Sequence, residues 1–238
     1  MELEEEVRGV ISHDDGFLVG FADMHDVIGR RYGSHRYAIV LAKKLEDSII
    51  DSIIHGPNED YYRLYKETNS LLIQMLGRIS EELRSLHVSC LSIKPTVNDE
   101  ELDREYARTL RTDFSHKMAA TRAGMGWIGK TDLLVTEEFG PRVRLGTLLI
   151  DQPVGRDAIP VDQSRCGSCT LCVKMCPAGA ANGLLWKVGI QREDFFDPFK
   201  CRNTCIDLSM KNLKKRVSIC GICVAVCPKG VKRTGRTA

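Results

Sequence analysis

Nine of the ten cysteines lie between Cys166 and Cys227, and their spacing is the strongest chemical signal in the chain. The first run, Cys166-Gly-Ser-Cys169-Thr-Leu-Cys172-Val-Lys-Met-Cys176-Pro177, is C-x2-C-x2-C-x3-C-P. That run wraps a cubane iron–sulfur cluster: three thiolates on a tight loop reach three corners, and the fourth turns to a second cluster. A second run, Cys220-Gly-Ile-Cys223-Val-Ala-Val-Cys227-Pro228, adds three thiolates and the same Cys-Pro ending. Two 4Fe-4S clusters need eight thiolates, and the runs supply seven. The eighth comes from Cys201 or Cys205. The turn-like approach Asp197-Pro-Phe-Lys-Cys201 favours Cys201. One cluster then takes Cys166, Cys169, Cys172 and Cys227, and the other Cys176, Cys201, Cys220 and Cys223. Structural zinc is the competing reading, but zinc sites pair two C-x2-4-C units around one ion, which this spacing does not suit. Cys90 sits in an apolar stretch and reads as a small buried hydrophobe.

A second motif is less straightforward. Gly124-Met-Gly-Trp-Ile-Gly129-Lys130-Thr131 satisfies both G-x4-G-K-[ST] and G-x-G-x-x-G. A phosphate loop must follow a strand and open a helix. Here the preceding residues, Thr112–Ala123, read as helix, and the following ones, Asp132–Thr136, as strand. The order is reversed, and Trp127 would crowd amides that must close on phosphate. The glycines more simply let backbone pass close to a flat ligand or to another segment.

The elements that must position these motifs can be read from periodicity. Residues 16–22, 37–42, 88–93, 132–136 and 143–150 read as strands. Asp60 to Leu86 reads as a long helix, with Leu64, Leu71, Leu72, Met75, Leu76, Ile79 and Leu83 on one face. Residues 99–110 and 112–123 read as shorter helices, the second stopped by Gly124. After Pro153 the chain becomes Cys-, Gly- and Pro-punctuated. The pattern predicts an α/β (α+β) body over 1–155 and a two-cluster 4Fe-4S ferredoxin-like domain over 156–238.

With 238 residues, 43% hydrophobic and 28% charged, the chain is long enough to bury a core and is not disordered. No apolar run approaches the ~18–20 residues of a membrane span. The N-terminus, Met1-Glu-Leu-Glu-Glu-Glu6, lacks the order of a secretion signal. A cytoplasmic location, with no membrane partner, is expected, and clustered cysteines in a reducing compartment point to metal rather than disulfides. Charge is uneven: residues 201–238 hold nine Lys/Arg against Asp207, a net of +8 against −6 elsewhere. Lys211, Lys214, Lys215, Arg216, Lys229, Lys232, Arg233 and Arg236 could dock tRNA or another polyanion. The reading preferred here is that they offset the negative charge of two thiolate-ligated cubanes.

Taken together, the chain resembles the epoxyqueuosine reductase family of iron–sulfur, cobalamin-dependent reductases, relatives of the reductive dehalogenases. Three segments carry the likeness: Arg122-Ala-Gly-Met-Gly-Trp-Ile-Gly-Lys130, Arg144-Leu-Gly-Thr-Leu-Leu-Ile-Asp151, and the Cys-Gly-Ser-Cys-Thr-Leu-Cys run with both Cys-Pro endings. They span about residues 112–230. The resemblance implies a nitroreductase-like body holding cobalamin, two clusters that relay electrons to cobalt, and a ferredoxin- or flavodoxin-type cellular electron donor. It implies that Gly124, Gly126, Trp127, Gly129 and Lys130 approach the corrin. Departures are Thr131 where the family commonly has Asn, and Gly146-Thr147 for Gly-Glu.

A reductive elimination also needs a proton donor. Asp113 is the nearest counterpart of the family's aspartate, about three residues short of its spacing. Asp113 and His116, three apart on a helix, would share one face and are the catalytic candidates. Asp113 could equally cap that helix. Two other functions compete with a reductase. One is an electron carrier serving a partner enzyme, and the other a cluster-bearing nucleotide hydrolase that rests on the Lys130 motif alone.

Overall fold

A computed structural model describes residues 3–11, 16–97, 103–155 and 158–230. The chain divides into two compact units, each assembled from separated stretches. The first holds residues 1–44, 65–125 and 144–161; the second holds 45–64, 126–143 and 162–238. The cysteine-rich segment thus shares its unit with 45–64 and 126–143, which precede the sequence boundary expected at 155/156.

The first unit is built on a four-stranded sheet. Its strands are β1 (Phe17–Asp23), β2 (Tyr37–Lys44), β3 (Cys90–Ile93) and β6 (Val143–Ile150), in the order β1-β2-β6-β3. β1 and β2 pair antiparallel with Phe17 opposite Lys43 and Asp23 opposite Tyr37. β3 and β6 pair antiparallel with Cys90 opposite Ile150. Unbroken buried stretches in β1, β2 and β6 place apolar side chains on both faces of the sheet. Phe21, Ile39, Leu41, Leu148 and Ile150 meet Val7 and Ile11 of α1 (Leu3–Ile11). The same cluster takes in Leu72, Met75, Leu76, Ile79 and Leu83 of the long helix α3 (Glu59–Ser85). These helix residues recur at three and four, which is why one stripe stays dry. Gly146 lets α3 approach β6: a Cβ there would stand 3.0 Å from Leu76 Cδ1.

The helices α4 (Arg104–Thr109) and α5 (His116–Arg122) complete the first unit, and α2 (Asp47–Asp51) lies in the second. α5 packs against β1 and β2, with Ala119 and Ala120 fully buried. Gly20 of β1 makes room for the end of this helix; a Cβ there would meet Met125 and Ala123 within 2.8 Å. Of the helix expected over 99–110, the described part runs Arg104–Thr109, with Asp103 capping it by accepting from Tyr106 N at 2.7 Å. Residues 98–102 lie outside the described residues. The helix expected from Thr112 begins only at His116, capped by Ser115. Asp113 therefore precedes the helix and is not its cap, and the shared-face argument for Asp113 and His116 does not hold.

In the second unit, β4 (Gly126–Ile128) and β5 (Leu134–Thr136) form an antiparallel hairpin, Gly126 opposite Thr136 and Ile128 opposite Leu134. The helices α6 (Leu171–Lys174), α7 (Arg192–Phe195), α8 (Pro198–Leu213) and α9 (Ile222–Ala225) carry or flank the cysteines. The Asp197-Pro-Phe-Lys stretch is not a free-standing turn. It is the start of a sixteen-residue helix, with Asp197 accepting from the amides of Phe199 and Lys200 and proline in the first turn.

Candidate iron–sulfur site

All ten cysteines are free thiols, and none is disulfide-bonded. Short helical turns set the spacing of the ligand candidates. α6 begins just after Cys169 and contains Cys172, and Cys176 follows its end. α9 contains Cys223, with Cys220 before it and Cys227 after. Gly221, at φ 83°, takes the left-handed turn between Cys220 and α9, packed against Ile53 and Tyr61.

The thiols fall into two neighbourhoods. Cys172 is pushed up to about 11, first by burial and then by the nearby sulfurs of Cys227, Cys166 and Cys169. Cys227 is raised by burial and feels Cys166 and Cys169 in turn, with Arg142 opposing. A thiol from the second run thus sits among three from the first. In the other neighbourhood Cys223, raised by burial, feels Cys220 and Cys201. Cys176 and Cys201 both pack against the apolar cluster of Ile128, Ala180, Ala181, Phe195 and Phe196.

Cys205 lies in the second neighbourhood too, one helical turn beyond Cys201, with the two sulfurs 3.9 Å apart. It holds its proton tightly because it donates to the sulfurs of Cys201 and Cys220. Those two are lowered for the same reason, Cys220 to about 7. The structure brings both eighth-ligand candidates to one place. Cys205 is the more buried, 7% exposed.

The donor set is chemically suited to iron–sulfur clusters: thiols only, most of them partly buried, with Cys169 exposed. Among the described residues, no three His, Cys, Asp or Glu side chains close on a point as the ligands of one metal ion do. A cubane holds its thiolates further apart than one ion with Zn–S bonds of about 2.3 Å would.

The glycine-bearing motif lies on the second unit's hairpin. Trp127, fully buried, donates from Nε1 to Cys166 Sγ at 3.2 Å. Lys130, 4% exposed, donates from Nζ to the carbonyls of Gly167 at 3.0 Å and Cys169 at 2.9 Å. The Thr131 side chain bonds the sulfur of Cys223. Gly126 is needed because a Cβ would stand 2.1 Å from Val135 O, and at Gly129 one would meet Val135 Cγ2 at 3.0 Å and Cys166 Sγ at 3.8 Å. In the first unit, Gly124 (φ 69°) turns the chain after α5, and a Cβ would lie 2.9 Å from Ile159 O. The glycines serve close approach of backbone segments, and helix precedes strand. This is not the strand-then-helix order of a phosphate loop.

Arg142 is a site residue that periodicity does not reveal. Its guanidinium, 2% exposed, bonds Asp51 Oδ1 at 2.6 Å, Asp47 Oδ1 at 3.1 Å, and the carbonyls of Asp47 and Ala225 at 3.4 Å. Its Nε has no hydrogen-bond partner. It ties down α9 between Cys223 and Cys227.

Of the two proton-donor candidates, Asp113 is exposed and ion-paired with Arg31. His116 is partly buried, and desolvation there lowers it to about 4. Its Nε2 donates to the Lys94 carbonyl at 3.0 Å, so Nδ1 accepts from Thr147 Oγ1 at 2.7 Å. Arg144 bonds Asn69 and Thr96 and stacks over Tyr65 at 4.4 Å. Of the basic residues near the C-terminus, Lys215 pairs with Glu59, and Lys229 sits 5.5 Å over the Trp127 ring. Lys232, Arg233 and Arg236 lie outside the described residues. Among the described residues, no helix is long and apolar enough to cross a membrane.

Residues 165–230 match a 4Fe-4S double cluster binding domain. Over 123 residues the chain is 36% identical to the epoxyqueuosine reductase of Listeria monocytogenes, a match covering 49% of this chain and 30% of that protein. The chain thus aligns with about a third of this relative's length. A reductive dehalogenase, whose structure suggests a mechanism for B12-dependent dehalogenation, aligns with TM-score 0.73 at 18% identity, covering 96% of this chain and 32% of that one. Epoxyqueuosine reductase with a tRNA-Tyr epoxyqueuosine-modified stem loop aligns with TM-score 0.59 at 18% identity, covering 96% and 64%. The chain is a mixed α/β protein with a C-terminal 4Fe-4S binding domain, and its sequence resembles the epoxyqueuosine reductases.

Proposed function

We propose that this chain is an iron–sulfur reductase of the epoxyqueuosine-reductase kind, with two 4Fe-4S clusters and a nitroreductase-like body. Cys166, Cys169, Cys172 and Cys227 hold one cluster. Cys176, Cys201, Cys220 and Cys223 hold the other. One observation supports this above all: Cys227 of the second run lies among the three loop thiols of the first. Such interlacing belongs to paired clusters and brings them near enough to pass electrons singly. The sequence likeness to reductases adds the reaction class.

Cobalamin is part of the proposal because a B12-dependent dehalogenase is among the fold's neighbours. When bound, it would supply cobalt-centred reduction. Trp127, Gly126, Gly129 and Lys130 do not fit a corrin-lining role, since they are occupied with the cysteine loops and with β5. What the chain's own residues do is hold the clusters. Asp113, exposed before α5, is the carboxyl proposed for proton delivery. His116 is neutral with both nitrogens engaged, and serves to fix Lys94 and Thr147. A tRNA substrate is proposed by analogy with the stem-loop complex.

The test is anaerobic purification with iron and sulfide counting, followed by cobalamin titration. About eight iron and eight sulfide per chain, and a changed corrinoid spectrum, are expected. Zinc, or no inorganic sulfide, overturns the cluster reading. No spectral change at high micromolar cobalamin removes the corrinoid.

A further inference from the structure

The glycine-bearing motif matches a phosphate loop and performs none of that loop's work. Its side chains alternate between the two thiol neighbourhoods. Trp127 Nε1 donates to Cys166 Sγ at 3.2 Å, and Lys130 clamps the carbonyls of Gly167 and Cys169 in the same loop. Ile128 packs in the apolar cluster that Cys176 and Cys201 adjoin. β4 pairs with β5, which fixes Trp127 and Ile128 on the strand, and Lys130 stands in the turn that follows.

We propose that residues Trp127–Lys130 form a strap that sets the reduction potential of the cluster held by Cys166 apart from that of the other, Trp127 by donating to the Cys166 sulfur and Lys130 by holding its loop. This rests on the two-cluster reading above. One-electron reduction adds one negative charge to a cluster and breaks no bond to the protein. A donor aimed at a cysteinyl sulfur stabilises that extra charge, so hydrogen bonds to the sulfurs raise the potential. Burial strengthens the effect by removing competing water. The indole N–H is a donor only, so its sense is fixed. Lys130 and Trp127 are positioning residues: they act through the thiolate loop and touch no substrate.

The experiment is a mediated redox titration of anaerobic holoprotein, followed by electron paramagnetic resonance, on wild type and Trp127→Phe. Trp127→Phe should make one cluster about tenfold harder to reduce, about 59 mV for one electron, and leave the other unchanged. A merely structural role would move both clusters or neither. Potentials unmoved in a variant that carries its full iron overturn the strap. Wild type without iron and sulfide defeats the cluster reading itself, a separate outcome. Should Trp127→Phe fail to load, a chain that keeps Trp127 and lacks the other tryptophan decides. With Trp186→Phe and indole-15N tryptophan, the reduced protein should show nitrogen hyperfine coupling from Trp127, and its absence overturns the proposal.

Discussion

Cys201 and Cys205 present their sulfurs 3.9 Å apart from successive turns of α8. Spacing of four on a helix puts both on one face, so only one needs to bind iron while the other donates to it. Cys205→Ala should keep about eight iron per chain, and Cys201→Ala should fall to about four. Iron analysis of the two variants checks this, and the reverse pattern would make Cys205 the ligand.

Arg142 couples α2, through Asp47 and Asp51, to the end of α9. Both carboxylates remain partly exposed and can return to water, so the loss is smaller than for a sealed pair. Arg142→Leu should cost about 1–2 kcal/mol. More tellingly, it should speed iron release to a chelator severalfold, because Cys223 and Cys227 flank the tether.

His116 gives a pH signature. Its folded value of about 4 lies below the ordinary histidine value of about 6.5. The unfolded chain therefore binds the extra proton first. His116 supports the fold fully above about pH 6.5, and that support drains away as pH falls toward 4. The lost stability is on the order of 2–3 kcal/mol. Imidazole 15N shifts should show His116 neutral at pH 6, and His116→Asn should flatten the acid limb of the unfolding curve.

Gly126→Ala would drive a Cβ to 2.1 Å from a backbone oxygen of β5, which cannot yield as a side chain can. The unfolding free energy from denaturant titration should fall by a few kcal/mol, and loading of the cluster near Trp127 should suffer with it. Gly9→Ala, in α1 with nothing within 4 Å of its Cβ, should instead stabilise by about 0.5–1 kcal/mol.

Periodicity was a good guide where one face decides the matter. β6 spans Val143–Ile150 as read, and α3 runs Glu59–Ser85 against the expected 60–86, since both bury an unbroken apolar stripe. It failed where capping chemistry decides. Asp197-Pro198 announces a helix by its cap and first-turn proline, yet reads as a turn when taken alone. β4 went unseen because three residues show no period. The grouping of Cys166, Cys169 and Cys172 is local and legible. The roles of Trp127, Lys130 and Arg142 are not, because each depends on a partner 37 to 95 positions away or on a hairpin whose pairing no single segment encodes. Glycine spacing is ambiguous for a related reason: a missing side chain looks alike whether a phosphate, a corrin or the chain itself occupies the gap.

The neighbourhood shared by Cys166 and Cys227 has a bearing on biogenesis. Sixty-one positions separate the first and last of these sulfurs, so a nascent chain emerging from the ribosome offers only part of a ligand shell until its final segment is made. Iron delivery must then wait until Cys227 has been made, and a message cut short before Cys220 would yield a polypeptide unable to retain either inorganic core.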